Sequence, residues 1–458
     1  MVHDVAIIGA GVVGCAMARR FARAGARVLL LERGADILSG ASKANSAILH
    51  TGFDAPPDSL ELRCMQAGYQ EYLTIRHAMN LPLLDTTALV LAWSETEAAR
   101  LPDILAQAHR NGVADARALT RAEVLAREPR LAASVHAGLL IPGEAVIDPW
   151  SAPLAYATEA LRHGATLCFG ATVQAASFDG AAWLIDTTRG RFGARLVINC
   201  AGTHGDHIEA LFLGRSHFTI RPRKGQFVIY DKAAAALLGA IVLPVPDDRT
   251  KGVVLTRTIF GNLLVGPTAE DQPDRDRATV DPEALTALMQ RAETMIPALK
   301  NMPVTAVYAG LRPASDAKHY RIHAEPGRGF ITVGGIRSTG LTAALGIAAH
   351  VFDLCALPDT APPPQPPPMM PNLAEHLPRD WQHPGYGEIV CHCELVTRRE
   401  IEAALHADLP PGDFGGLRRR TRCAMGRCQG FGCHARLAEL TAGHLTPPLA
   451  LPRERRNG

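Results

Sequence analysis

Val2 to Ile8 (VHDVAII) is an apolar run that ends at glycine, which predicts a buried strand. A turn follows from Gly9 to Gly14. CAMARRFARAGA then reads as a helix, and RVLLLE, ending at Glu32, reads as a second strand. Strand, turn, helix and strand within about 30 residues make a βαβ unit. Two later runs, RLVINCAG (195–202) and GFITVGGI (329–336), are also buried strands running into glycine, and the second leads into the apolar helix STGLTAALGIAAHVFDLC. Between them KGQFVIYD, KGVVLTRTIF and GNLLVGP read as strands with hairpin-like turns, and residues 282–299 read as an amphipathic helix. The pattern predicts an α/β half with a Rossmann-like sheet and an inserted α+β half with a mainly antiparallel sheet.

The pattern breaks at residue 358. PDTAPPPQPPPMMP predicts an extended, semi-rigid linker. Beyond it VTRREIEAALHA reads as a helix opened by a capping box of Thr397 and Glu400, and HARLAELTAG reads as a second helix. The last residues, PPLALPRERRNG, read as a disordered tail. The expected divisions are a discontinuous dinucleotide-binding domain (1–80, 151–215, 325–357) and a substrate domain (81–150, 216–324). A linker (358–384), a cysteine-bearing helical module (385–440) and a tail (441–458) follow.

A length of 458 residues suits two or three domains, and 47% hydrophobic with 20% charged residues supports a soluble protein with a sizeable core. A net charge of +2 argues against nucleic-acid binding. No apolar run approaches the roughly 20 residues of a membrane helix. MVHDVAIIGAG lacks the basic start of a signal peptide. The expected compartment is the cytoplasm, where clustered cysteines read as metal ligands or redox groups rather than disulfides.

Gly9-Ala-Gly11-Val-Val-Gly14 has the spacing of a dinucleotide fingerprint. The first glycine makes the turn, the second admits a pyrophosphate, and the third lets helix and strand pack closely. The helix N-terminus then offers free N–H groups and a positive dipole to the phosphate. Glu32, 18 residues after Gly14, is placed to accept hydrogen bonds from a ribose diol and would repel a 2′-phosphate.

Several spaced motifs identify the first 357 residues further. They are GAGVVG, SKANSAILHTGF (42–53), IDPW (147–150), VINCAG (197–202), PRKGQFVIYDK (222–232), GNLLVGPTAE (261–270), AGLRPAS (309–315) and GGIRSTGLTAALGIA (334–348). Together they resemble the FAD-dependent D-amino-acid-oxidase-like superfamily, in its glycerol-3-phosphate dehydrogenase and L-2-hydroxyglutarate dehydrogenase branch. The resemblance implies non-covalent FAD. Ser42, Lys43, Asn45 and Ser46 would approach the pyrophosphate and flavin edge, and Thr172 and Val173 the adenine. Gly340, Leu341 and Thr342 would lie at the pyrimidine end of the flavin, with Ala201, Gly202 and Gly335 as further cofactor-binding residues. A helix N-terminus aimed at the flavin would stabilise its reduced, anionic form.

By the same resemblance Arg312, in AGLRPAS, clamps a substrate carboxylate or phosphate, a task suited to the rigid guanidinium fork. His50, in AILHTGF, is placed to take a hydroxyl proton. A structural ion pair and a core histidine are the plainer alternatives. Lys251 and Arg257 are candidates for extra positive charge in the pocket or for solvated side chains. Cys15 and Cys200 read as small core residues, and Cys64, Cys168 and Cys355 have no visible partners.

Five of the ten cysteines fall in the last 68 positions: Cys391, Cys393, Cys423, Cys428 and Cys433. Four thiolates suit either a [2Fe-2S] cluster or zinc. The segment resembles the bacterioferritin-associated ferredoxin-like [2Fe-2S] domain, whose C-x-C is followed after a little over thirty residues by a second pair. Here 34 residues separate Cys393 from Cys428. The second pair departs from the small ferredoxin, being C-x4-C rather than C-x-x-C. The large subunit of the anaerobic glycerol-3-phosphate dehydrogenases has a similar wider pair after a similar RRRTR run. The resemblance therefore implies Cys391, Cys393, Cys428 and Cys433 as ligands, with Cys423 a spare thiol or an alternative ligand. Arg418, Arg419, Arg420 and Arg422 would offset cluster charge, dock a partner, or form a solvated basic face.

The expected function is an FAD-dependent dehydrogenase acting on the C–OH of a small anionic substrate. By resemblance glycerol 3-phosphate leads and L-2-hydroxyglutarate or another 2-hydroxy acid comes second. Electrons would leave through the cluster to other redox subunits or a quinone-linked acceptor, which would place the protein at the inner membrane only through its partners. A component of a multi-subunit dehydrogenase of amines, amino acids or opines, or a non-catalytic electron-transfer component, would share these motifs.

Overall fold

The structure is a computed structural model that describes residues 2–246, 252–325, 327–355, 360, 363 and 365–450. Lys251 and the last eight residues of the expected tail lie outside the described residues, as do 356–359, 361–362 and 364 in and beside the expected linker.

The first strand, Val2–Ile8, lies parallel between Val28–Glu32 and Gly190–Asn199. The parallel set is completed by Thr166–Phe169 beside Val28–Glu32 and by Phe330–Gly334 beside Gly190–Asn199. Two antiparallel strands, Val173–Phe178 and Trp183–Thr187, and the return strand Arg321–Glu325 bring this sheet to eight. That return strand begins inside the stretch assigned from sequence to the substrate domain. It joins the cofactor sheet because its partner, Phe330–Gly334, is the next strand along the chain.

The helices Val12–Arg23, Ser151–Arg162, Leu60–Ile75 and Gly340–Leu354 pack into one core with this sheet. The last two cross at backbone contact. A Cβ on Gly346 would overlap the Cys64 carbonyl, and one on Gly68 would overlap the Thr342 carbonyl. This close crossing fixes where the N-terminus of Gly340–Leu354 points.

The second sheet has nine strands and one parallel pairing, between Ile241–Pro244 and Ala88–Ala92. Its strand Arg223–Tyr230 pairs along its length with Val304–Arg312, setting Arg223 opposite Arg312. Helix Pro282–Met295 is capped by the Asp281 carboxylate and buries Leu285, Leu288, Ala292 and Met295 against the sheet. A small antiparallel sheet joins Ile48–Leu49, Ala145–Ile147 and Leu83–Asp85.

The described part of the proline-rich segment is pinned to the body rather than spanning a gap. Thr360 N–H donates to the Ala24 carbonyl at 3.2 Å, and Met370 N–H donates to the Met79 carbonyl at 3.0 Å. The terminal module holds three short helices, Arg398–Leu405, Phe414–Thr421 and His434–Leu440, around its own small core. The capping box of Thr397 and Glu400 forms as expected. The middle helix was not expected. Asp413 caps it through Gly416 N–H, so the arginine run is helical.

Candidate functional site

A cleft of about 480 Å³ runs from the glycine fingerprint to the end of the strand Val304–Arg312. Gly9 sits at φ +102°, and a Cβ there would lie 2.6 Å from the Cys200 carbonyl oxygen. A Cβ on Gly14 would overlap the Gly9 carbonyl, so Gly14 packs behind the cleft instead of lining it. Gly11 faces the cleft and precedes a helix whose N-terminus has no side-chain cap of its own. Ser42 Oγ accepts from Val12 N–H at 3.0 Å, tying the loop of residues 41–46 to that helix. Glu32 is buried, and its two oxygens accept from Ala10 N–H and Gly34 N–H, each at 2.7 Å. An ionised carboxyl group has further lone pairs, so Glu32 can also accept from a diol.

Ser42, Asn45, Ser46, Thr172 and Val173 line the cleft, as do Ala201, Gly202, Gly335, Gly340 and Leu341. Lys43 lies outside the lining, although its carbonyl accepts from Trp150 Nε1 at 3.2 Å. Thr342 is buried behind the helix start, and its Oγ1 accepts from His50 N–H at 3.0 Å.

Arg312 lines the far end of the cleft and donates to the Thr268 carbonyl at 2.7 Å. Arg337, which no sequence signal singled out inside GGIRSTG, lines the same cleft. Neither is paired with a carboxylate among the described residues. Burial pushes the Arg312 pKa down to about 10, and the like charges of Arg223 and Arg337 push the same way. Uncompensated positive charge facing a cavity attracts an anion. Arg257 has a buried Nε without a hydrogen-bond partner and stands outside the lining.

His50 is not part of the lining either. Its Nδ1 lies 2.7 Å from Glu144 Oε2, and Glu144 is fully buried. Glu144 Oε1 accepts from Thr51 N–H at 2.7 Å and from Thr51 Oγ1 at 2.8 Å. Nothing in the sequence marked Glu144, because its partner is 94 positions away. Sheet register brings them together. Ile48 faces Val146 and Leu49 faces Ala145, so His50 and Glu144 are next in line.

In the terminal module the thiols approach in two pairs, Cys391 with Cys433 and Cys393 with Cys428. Cys428 is held below its usual range chiefly by the Gly432 N–H, with Gly430 and Phe431 N–H adding to it. Burial pushes Cys433 up to about 12. Cys423 is fully buried in the module core, and burial pushes it to about 12 as well. Cys15 and Cys200 are likewise core thiols, both raised by burial. All ten cysteines are free of disulfides.

The arginine run is not a solvated face. Arg420 donates to both oxygens of Asp36, at 2.6 and 2.9 Å, and both residues are buried. Arg419 donates to the Ile37 carbonyl at 3.0 Å and Arg418 to the Ala424 carbonyl at 3.3 Å. Arg422 pairs with Glu394 at 2.9 Å and lies 4.0 Å over the Phe260 ring, which stacks on Trp150 at 5.2 Å. The run therefore fastens the module to the loop after Glu32 and to the aromatic pair of Phe260 and Trp150.

The residues present fit both groups. The cleft has a glycine cradle, a helix N-terminus that opens on glycine and a carboxylate where a dinucleotide needs them, and the module presents four paired thiols, the number a two-iron centre requires. Comparison with known proteins agrees. Residues 4–354 match the model described as FAD dependent oxidoreductase, and residues 389–442 match the BFD-like [2Fe-2S] binding domain. The second match sets aside the zinc alternative.

Among relatives, a glycerol 3-phosphate dehydrogenase of Caloramator mitchellensis is 31% identical, covering 96% of this chain and 94% of its own. A glycerol 3-phosphate oxidase of Mycoplasma pneumoniae is 31% identical over 77% of this chain and 94% of its own. A solved structure of dithionite-reduced L-alpha-glycerophosphate oxidase from Mycoplasma pneumoniae with FAD bound superposes with a TM-score of 0.76 at 28% identity, covering 80% of this chain and 98% of that one. The chain belongs to the FAD-dependent oxidoreductase family, with FAD and a C-terminal [2Fe-2S] cluster as its cofactors.

Proposed function

We propose that the protein is a glycerol 3-phosphate dehydrogenase that forms dihydroxyacetone phosphate and passes electrons through its cluster to a redox partner or quinone-linked acceptor. The observation that carries this reading is the pair of cleft arginines, Arg312 and Arg337, without a carboxylate between them among the described residues. Two guanidiniums suit a phosphate dianion better than a single carboxylate. A relative that matches 96% of this chain is itself named a glycerol 3-phosphate dehydrogenase.

When bound, FAD supplies the acceptor for a hydride and the cluster supplies a one-electron outlet. The chain's own residues do the rest. Gly9, Gly11, Glu32, Ser42, Asn45 and Ser46 hold the dinucleotide, with Thr172 and Val173 at its adenine end. Gly340 and Leu341 present the N-terminus of Gly340–Leu354 to the cleft, where its dipole favours negative charge. Arg312 and Arg337 bind the phosphate and so fix which carbon faces the flavin. His50, held beside the cleft by its N–H bond to Thr342 Oγ1, is the residue we assign to the hydroxyl proton.

Cys391, Cys393, Cys428 and Cys433 hold the cluster. Cys393 is exposed, and Phe431, between Cys428 and Cys433, is 93% exposed, so this face of the module is open to an electron-accepting partner. A 2-hydroxy acid is the second reading, since an L-2-hydroxyglutarate dehydrogenase of Indibacter alkaliphilus is 28% identical over 59% of this chain.

The test is anaerobic mixing of the holoprotein with glycerol 3-phosphate, L-2-hydroxyglutarate and small amino acids, followed by flavin absorbance. Bleaching by glycerol 3-phosphate at the lowest concentration is the expected result. Bleaching by an amine alone would overturn the reading.

A further inference from the structure

We propose that Glu209, His217 and His323 form a binding site for a divalent metal ion of the zinc type, outside the cleft, where the chain crosses between its two large sheets. The inference does not depend on the substrate reading above.

The three side chains come from separate segments. Glu209 lies on the helix Gly205–Leu213, His217 in the loop that follows it, and His323 on the strand Arg321–Glu325. One ligand atom from each lies within 4.8 Å of the other two, and none of the three residues lines the cleft. Glu209 is fully buried, while the His217 and His323 side chains are 37% and 31% exposed. The carboxylate therefore forms the floor and the two rings leave a way in from solvent.

Hydrogen bonding alone does not account for the cluster. Glu209 Oε2 accepts from Ser216 Oγ at 2.6 Å and from His217 N–H at 2.8 Å. Oε1 accepts from Thr332 Oγ1 at 2.9 Å, and two ring nitrogens crowd the same oxygen, His323 Nε2 at 2.7 Å and His217 Nδ1 at 3.3 Å. One carboxylate oxygen has two lone pairs, so three donors over-subscribe it. His323 Nε2 is buried and, close as it is, makes no hydrogen bond among the described residues. Two imidazole nitrogens and one carboxylate oxygen are the donor set of a His₂Glu zinc site. Ligand atoms about 2.0–2.1 Å from a tetrahedral zinc stand about 3.3 Å apart, close to the separations found at Oε1.

The supporting groups suit the same reading. Ligating carboxylates and histidines are oriented by partners of their own. Ser216, Thr332 and the His217 N–H hold the Glu209 carboxylate. Glu325 Oε1 lies 3.6 Å from His217 Nε2, which favours the proton on that nitrogen and leaves Nδ1 as the ligand. Imidazole donors select zinc-type ions over magnesium and calcium, which prefer oxygen. Three protein ligands leave the fourth position to water.

The position gives such an ion a task. The chain leaves the first sheet through the loop that carries His217 and enters the second at Arg223–Tyr230. It returns from Val304–Arg312 to the strand that carries His323. The two crossings pair with each other, Arg221 N–H donating to the Ala314 carbonyl at 2.7 Å and Asp316 N–H to the Thr219 carbonyl at 3.0 Å. A metal held by both would fasten the strand that ends at Arg312 to the cofactor sheet.

The test loads tag-free, anaerobic holoprotein with zinc chloride, removes the excess and measures bound zinc, its X-ray absorption spectrum and the melting temperature. One zinc per chain is expected, with nitrogen and oxygen ligands that include two imidazoles and no sulfur. Zinc should raise the melting temperature and slow hydrogen exchange across residues 214–222 and 313–323, and magnesium should do neither. His323→Ala, at a half-exposed position, should abolish stoichiometric binding. Glu325→Gln, which touches no metal, should weaken it roughly 10–100-fold. Equal protection by magnesium, or unchanged zinc affinity in both variants, would overturn the proposal. If His323→Ala fails to fold, the spectrum of the natural protein decides alone: sulfur among the ligands would put the zinc in the cysteine module, and fewer than two imidazoles would put it elsewhere on the surface. Either result, or the absence of stoichiometric zinc, would overturn the site.

Discussion

Arg312 carries its charge into a buried place with two other cations nearby, Arg223 and Arg337, and donates there to the Thr268 carbonyl. Such a charge is destabilising until an anion arrives, and binding one is the role proposed for it. Arg312→Lys keeps the charge but loses the fork, so kcat/KM for glycerol 3-phosphate should fall by roughly 10²-fold, the value of about 3 kcal/mol for hydrogen bonds to a charged group. Phosphate should protect the natural protein against heat and protect Arg312→Lys less. Equal protection would remove this arginine from the anion site. Arg312 was legible because it sits in a motif of fixed composition. Glu32 was legible because its distance from the fingerprint is itself part of the pattern. Glu144 and Arg337 were not. Glu144 reaches His50 only through strand register between segments far apart in sequence, and Arg337 enters the cleft only through the turn at Gly335.

Elements meet here where a side chain would not fit. The crossing of Leu60–Ile75 and Gly340–Leu354 leaves no room for a Cβ on Gly346. Gly346→Ala should therefore destabilise by about 1–3 kcal/mol through overpacking and weaken FAD binding as the helix start shifts. Thermal melting with and without added FAD measures both, and an unchanged melting temperature would contradict the crossing.

The helix Phe414–Thr421 sets the second expectation at this scale. Arg420 and Asp36 form a buried ion pair, and removing one partner leaves the other charge stranded, at about 3–5 kcal/mol. Arg420→Ala should raise hydrogen exchange across residues 409–422 and slow transfer between flavin and cluster. Unchanged protection would mean that the module docks by other contacts. The helices Val12–Arg23, Pro282–Met295 and Gly340–Leu354 were legible from periodicity, whereas Leu60–Ile75 and Ser151–Arg162 were not singled out. Phe414–Thr421 was hidden because its face is polar and its partner is a loop nearly four hundred residues earlier.

The whole molecule is a flavoprotein body of two large sheets and one small one, with a cluster module fastened to the loop that follows Glu32. Its broad plan was readable from glycine-ended strands, the proline-rich break and the cysteine spacing. The mode of attachment was not, because proline content suggested a spacer while the described part of that segment hydrogen-bonds along the body. Among the described residues no helix is long and apolar enough to cross a membrane.

Acid stability has an identifiable contributor at this scale. Burial works to raise the pKa of Glu209, but the His323 ring 2.7 Å away and hydrogen bonds from Ser216, the His217 N–H and Thr332 outweigh it and hold the group at about 2. A folded-state pKa below the unfolded value means that this contribution is complete above the ordinary glutamate range and is lost as pH falls toward 2. Glu209→Gln should flatten the decline of melting temperature across that window, and an unaltered decline would assign it to other carboxylates.

The central claim, that a C–OH substrate delivers electrons through FAD to the cluster within one chain, is tested most directly by low-temperature EPR of anaerobic holoprotein frozen after mixing with glycerol 3-phosphate. The signal of a reduced [2Fe-2S] centre should appear together with flavin bleaching, and should be absent with amino acids. Flavin bleaching with a cluster that stays oxidised and silent would contradict the claim.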